Sequence, residues 1–170
     1  MPHKLTPEDS LTFPIVSDAQ IDPAAAAVAY VRADCTREGT ALTRQQIWVV
    51  DSSGRRDHRL THGPRADFHP RWSPDGKTIA FIQGLMSDAG STGGDIYTVP
   101  AKGGLALNIT PGRAGSPAWI KWLPGSDRLL FTERVNGSTA IGQLFLQTGK
   151  TESLWQGDEI NGVLQVDNRD

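Results

Sequence analysis

A chain of 170 residues with 38% hydrophobic content is long enough to bury a core of ordinary domain size, and its composition excludes a disordered or fibrous polymer. The 17 basic and 19 acidic residues are spread along the length to a net charge of −2, so the basic stripe that neutralising a phosphate backbone requires is absent and no nucleic-acid partner is expected. The longest apolar run, Ala24 to Val31, is far too short to span a bilayer, and no membrane partner is expected either.

The start, Met1-Pro2-His3-Lys4-Leu5-Thr6-Pro7-Glu8, has no apolar signal region, and the single cysteine, Cys35, has no internal disulfide partner. Together these predict a cytoplasmic protein. No nucleophile motif surrounds Cys35.

From Ile21 onward a pattern returns three times. The first copy has Ile21 and Pro23, then Val28-Ala29-Tyr30-Val31, Gln46-Ile47-Trp48-Val49-Val50, Gly54 and Leu60-Thr61-His62-Gly63. The second is the clearest, with Trp72-Ser73-Pro74-Asp75-Gly76, Ile79-Ala80-Phe81, Asp95-Ile96-Tyr97-Thr98-Val99, Gly103-Gly104 and Asn108-Ile109-Thr110-Pro111-Gly112. The third has Trp122, Pro124, Leu129-Leu130-Phe131, Gln143-Leu144-Phe145-Leu146, Gly149 and Leu154-Trp155-Gln156-Gly157. Ile21, Trp72 and Trp122 are spaced by 51 and 50 residues, and each stands 9 residues before the aromatic Tyr30, Phe81 or Phe131.

Each copy holds four short apolar runs bounded by Gly, Pro, Ser and Asp, which predicts four antiparallel strands joined by turns. Ser73-Pro74-Asp75-Gly76 suits a type I turn, and Pro124-Gly125 a type II turn in which Gly takes positive φ. The first copy reads Pro23-Ala24-Ala25-Ala26; without the turn glycine its hairpin is expected to be looser or differently shaped. Ala24 to Ala29 has high helix propensity taken alone, but the repeat outweighs it and predicts a strand. Ile47-Trp48-Val49-Val50 and Leu144-Phe145-Leu146 are apolar on successive residues, so both sheet faces should be covered, as stacked blades would do.

The fold expected is therefore all-β: a partial β-propeller of three four-stranded antiparallel blades plus the first strand of a fourth. The organisation predicted is a lead-in over 1–14, blades over 15–63, 64–112 and 113–157, and the start of a fourth blade over 158–170 carried by Val163-Leu164-Gln165-Val166. Propellers close rings of about four to eight blades, so three blades are expected to be a truncated piece able to self-associate through open blade faces.

No catalytic, metal or cofactor set is expected. None of the 18 glycines has Ser two positions later, so the Gly-x-Ser-x-Gly elbow of acyl-transferring hydrolases is absent. His58, His62 and His69, near Asp57 and Asp67, have metal-ligand chemistry, but His62 aligns with Pro111 and Gln156, which reads as a strand-to-strand turn with surface histidines. Gly149-Lys150-Thr151 resembles the tail of a phosphate-binding loop, yet Leu144 stands where that loop needs Gly, and the segment aligns with the turns at Gly54 and Gly103. Packing between blades is the better explanation for most of the five tryptophans, Trp48, Trp72, Trp119, Trp122 and Trp155. The polar stretch Arg32 to Gln45 and the Gly/Ser-rich stretch Gly84 to Gly94 read as mobile surface connections. The residues singled out are those of the repeat turn, Trp72, Ser73, Pro74, Asp75 and Gly76.

The chain resembles the amino-terminal propeller of the prolyl oligopeptidase family of serine peptidases, the acylaminoacyl-peptidase type in particular. Leu5-Thr6-Pro7-Glu8-Asp9 with Val16-Ser17-Asp18-Ala19-Gln20-Ile21 looks like the family's entry into its first blade; Gln46-Ile47-Trp48-Val49-Val50-Asp51, Arg59-Leu60-Thr61 and the Trp72-Ser73-Pro74-Asp75-Gly76-Lys77 turn carry the rest. That turn is shared with TolB-like propellers. The resemblance implies a scaffold that limits access to a hydrolase domain and favours short or acylated peptides. The hydrolase domain is absent from this chain, so no activity of its own is expected. A TolB-like propeller for protein–protein interaction is the alternative.

Overall fold

The computed structural model describes Thr6 and residues 13–34, 45–84 and 94–158. Cys35, Val163–Val166, most of the lead-in and the connections over 35–44 and 85–93 lie outside them.

Three antiparallel sheets each keep their strands in chain order, as hairpin-linked short strands must. The first comprises β1 (Ile15–Ile21), β2 (Ala27–Ala33), β3 (Gln45–Asp51) and β4 (Asp57–Arg59). The second comprises β5 (Ala66–Trp72), β6 (Thr78–Gly84), β7 (Gly94–Pro100) and β8 (Leu107–Asn108). The third comprises β9 (Ser116–Trp122), β10 (Arg128–Val135), β11 (Ser138–Phe145) and β12 (Thr151–Gly157). The first strands β1, β5 and β9 adjoin one another from sheet to sheet, whereas among the described residues β4, β8 and β12 pack only on their own sheets. The sheets therefore fan out from a shared inner edge as three blades of a partial β-propeller, the fold expected.

The middle blade shows what holds the blades together. Strand β6 is apolar on successive residues, and its pleat sends alternate side chains to opposite faces. Ile79 and Phe81 enter a cluster with Ala29, Ile47, Val49 and Leu60 of the first blade. Ala80 and Ile82 enter a second with Ile120, Trp122, Leu129, Phe131 and Leu144 of the third. Each fully buried Ile or Phe contributes about 1.5–3 kcal/mol, so the blades stack as a continuous core. In the flanking blades an arginine side chain lies over an aromatic ring. The Arg32 guanidinium lies 4.5 Å from the Trp48 ring centroid, and that of Arg128 lies 5.9 Å from Phe145.

The hairpin closing the inner edge of each blade corrects one expectation. In the second blade Gly76 N–H donates to Ser73 O and Ser73 N–H to Thr78 O; Asp75 accepts from Lys77 N–H, and Ser73 Oγ accepts from Thr78 N–H. In the first blade Ala25 N–H donates to Asp22 O and Asp22 N–H to Ala27 O, the same two backbone bonds. The turn is therefore neither looser nor differently shaped. Ala25 adopts φ 54° where Gly76 has 68°, and one Asp22 carboxylate oxygen accepts from both Ala26 and Ala27 N–H, at 2.6 and 2.8 Å, doing the work of Ser73 and Asp75 together. In the third blade Gly125 has φ 96°, as its type II turn requires.

Candidate functional site at the bulged inner strands

All three first strands carry a β-bulge at the same height. The pairing register slips between Ser17 and Gln20 in β1, between Phe68 and Arg71 in β5, and at Ala118 between Pro117 and Trp119 in β9. A bulge puts an extra residue on one strand and re-aims its side chain. Two bulge residues sit in the left-handed region, Asp18 at φ 47° and His69 at φ 61°, a conformation that Asp and His tolerate better than most residues. Because the first strands adjoin, the three bulges wall one cleft of about 310 Å³, lined by Ser17, Asp18, Val31, Gln45, Phe68, His69 and Ala118.

The polar centre of this wall spans two blades. Asp18 Oδ2 lies 2.7 Å from His69 Nδ1, Arg71 donates from one terminal nitrogen to Asp18 Oδ1 and Oδ2 at 2.9 and 3.1 Å, and Gln20 Nε2 donates to Asp18 Oδ1 at 2.9 Å. A carboxylate cannot donate, so the short contact requires the imidazole proton on Nδ1. The Arg71 nitrogen 2.9 Å from the same Nδ1 is then a neighbour of the ring and not its donor. Burial pushes the Asp18 carboxyl up, but the bond from His69, the charge of Arg71 and the bond from Gln20 outweigh it and hold the group below the ordinary range.

Below the bulges the same strands carry the tie between blades. Trp72 Nε1–H donates to Gln20 O at 2.9 Å, and one repeat later Trp122 Nε1–H donates to Arg71 O at 2.8 Å. Both indoles help line a second cleft of about 250 Å³ at the turn end, with Pro23, Pro74, Arg71 and Lys121. Asp75 N–H donates to Ser126 Oγ of the next blade at 3.2 Å. The repeat-turn residues Trp72, Ser73, Pro74, Asp75 and Gly76 thus link neighbouring blades as well as closing their own hairpin. The Asp75 carboxyl is held below its ordinary value by the Ser73 hydroxyl and the Lys77 amide.

The histidines separate. His58 and His62 are exposed, as is Asp57, which accepts from the Tyr30 hydroxyl at 2.8 Å. Burial and that carboxylate push the Tyr30 phenol up to about 12. His69 is not a surface turn residue as expected: it lies within β5, its side chain is 24% exposed, and its partner is Asp18 on another blade. Asp67, two residues before it, is buried, and burial pushes its carboxyl up against the opposing bonds from Thr61 and Gln83, Gln83 Nε2 donating to Oδ1 at 2.9 Å. No three of the described His, Cys, Asp and Glu residues group to hold a metal ion. Gly149-Lys150-Thr151 closes the β11–β12 hairpin, Phe145 N–H donating to Lys150 O. Trp122 packs in the core between the second and third blades and Trp72 against the core between the first and second; Trp119 is buried, Trp48 lies under the Arg32 guanidinium, and Trp155 stands 38% exposed on β12.

The Asp18, His69 and Arg71 constellation was not singled out in the sequence, although a signal for it exists. Asp18 and His69 are 51 residues apart, the repeat period, as are Arg71 and Trp122. In a propeller, residues one period apart come side by side on neighbouring blades.

No family model matches the chain. It is 31% identical over 139 residues, 81% of its length, to an uncharacterized peptidase, YuxL, of Bacillus subtilis, and covers 20% of that protein. The chain thus spans about a fifth of the length of this relative. Among solved structures it is similar to the acylaminoacyl peptidase of Pyrococcus horikoshii, at a TM-score of 0.64 and 20% identity over 88% of this chain and 26% of that one. It is similar in the same way to TolB of Acinetobacter baumannii, at 0.61 and 23% identity over 77% of this chain and 31% of that one. The chain is a stretch of β-propeller whose likeness in sequence is to a peptidase, and in fold to the propellers of acylaminoacyl peptidase and TolB.

Proposed function

We propose that this chain is the amino-terminal propeller portion of a cytoplasmic serine peptidase acting on short or acylated peptides, where it serves as scaffold and access gate while an acyl-enzyme mechanism runs in a domain outside this sequence. The observation that carries the reading is the 31% identity to a peptidase over 139 residues. The inner strands give it a physical basis: they join rigidly through the Trp72 and Trp122 bonds, so a ring built on them would exclude bulky chains and admit narrow ones. The single cysteine suits the reducing cytoplasm.

The test is to read the coding frame beyond codon 170 and treat the full product with a fluorophosphonate, which labels activated serines. A Gly-x-Ser-x-Gly elbow followed by Asp and His, with labelling lost when that Ser becomes Ala, is expected. A product with no such elbow and no labelling contradicts the reading. That outcome favours the second reading, a TolB-like interaction propeller, whose support is a fold likeness close to that of the peptidase.

A further inference from the structure

We propose that the cleft over the three bulges is a binding site for an uncharged peptide unit, with His69 Nε2 as its hydrogen-bond acceptor. This rests on the peptidase-gate reading and deepens it by naming the residue that meets the peptide.

Three observations carry the assignment. The geometry of His69 is built: a bulge aims the residue, φ 61° holds it, and Asp18 fixes the ring by taking Nδ1–H. In its Nδ1–H neutral form the ring presents Nε2 as a lone-pair acceptor, and no described residue bonds that atom. Residues held in sparsely populated backbone regions persist where the surroundings over-determine them, and they cluster at ligand contacts. Second, the Asp18 carboxylate is saturated by His69, Arg71 and Gln20, and its charge is offset by Arg71, so among the described residues it offers no unpaired charge to a ligand's ammonium. A neutral N–H donor is what the site matches. Third, Val31, Phe68 and Ala118 add apolar groups to the lining of the same cleft, and about 310 Å³ holds a short segment, not a folded surface. An internal or acyl-blocked peptide unit has these features together: an N–H to donate, a small apolar side chain and no charge.

The test uses the 170-residue chain and N-acetyl-trialanine methylamide, followed by nitrogen-edited NMR of the imidazoles. The expected result is a saturable shift of the His69 Nε2 signal that His58 and His62 do not share. Asn tolerates positive φ, so His69→Asn keeps the bulge; it should leave the circular dichroism unchanged and weaken peptide binding about tenfold or more. A His69 signal that stays still, or that moves linearly like those of His58 and His62, overturns the site. So does unchanged affinity in the folded His69→Asn variant. The gate reading fails separately: if the full product hydrolyses the same peptide and His69→Asn leaves KM unaltered, the gate stands and the site falls, whereas a product that hydrolyses no peptide sinks the gate.

Discussion

At the scale of single residues, the inner-edge hairpins show one backbone shape made by different chemistry. Gly76 takes its left-handed conformation without a Cβ, while Ala25 takes it against the steric cost that L side chains incur there. Asp22 offsets that cost by accepting from two amides with one oxygen. Ala25→Gly should therefore stabilise the chain by about 0.5–1 kcal/mol, the relief of strain less the entropy that glycine adds to the unfolded state. Urea unfolding of the two forms measures it. The sequence suggested the opposite, a loosened turn, because matching residue to residue compares side chains. It overlooks a carboxylate one position before the proline doing what a hydroxyl and a later carboxylate do in the next repeat.

At the scale of elements, strands and blades were legible because short apolar runs, turn residues and the length-matched repeat all agreed. The tie between blades was not. Asp18, His69 and Arg71 come from two strands a full repeat apart, and nothing in either strand alone marks the other as its partner. Their bond has a pH signature. The Asp18 carboxyl ionises more readily in the folded chain than in the unfolded one, so its contribution to stability is present above the unfolded value and is lost as pH falls through the lower folded value. Asp18→Asn, which keeps tolerance of positive φ, should cost about 1–3 kcal/mol at neutral pH by weakening bonds to a charged acceptor. The gap between variant and parent should close as the solution is acidified below the ordinary Asp range. Parallel unfolding curves taken from pH 7 down to pH 3 check this, and a gap that stays constant with pH means that the pair is not what joins these blades.

At the scale of the whole molecule, the described chain has a core only where one blade meets another. Ile21 at 68% exposure and Leu154 at 55% leave apolar side chains uncovered on the first and third blades. The fold itself licenses many functions; the sequence likeness to a peptidase is what supports the role proposed above, and the inner strands tied across blades, with His69 set among them, are what the proposed gate would use. In the gate proposed above, this wall would admit short peptides and turn away longer chains. The most direct measurement compares kcat/KM of the full product of this reading frame for a blocked tripeptide and for carboxymethylated casein, an unfolded protein whose bonds are chemically open to cleavage. A preference for the tripeptide of about tenfold or more is expected; equal rates on the two substrates would contradict the gate.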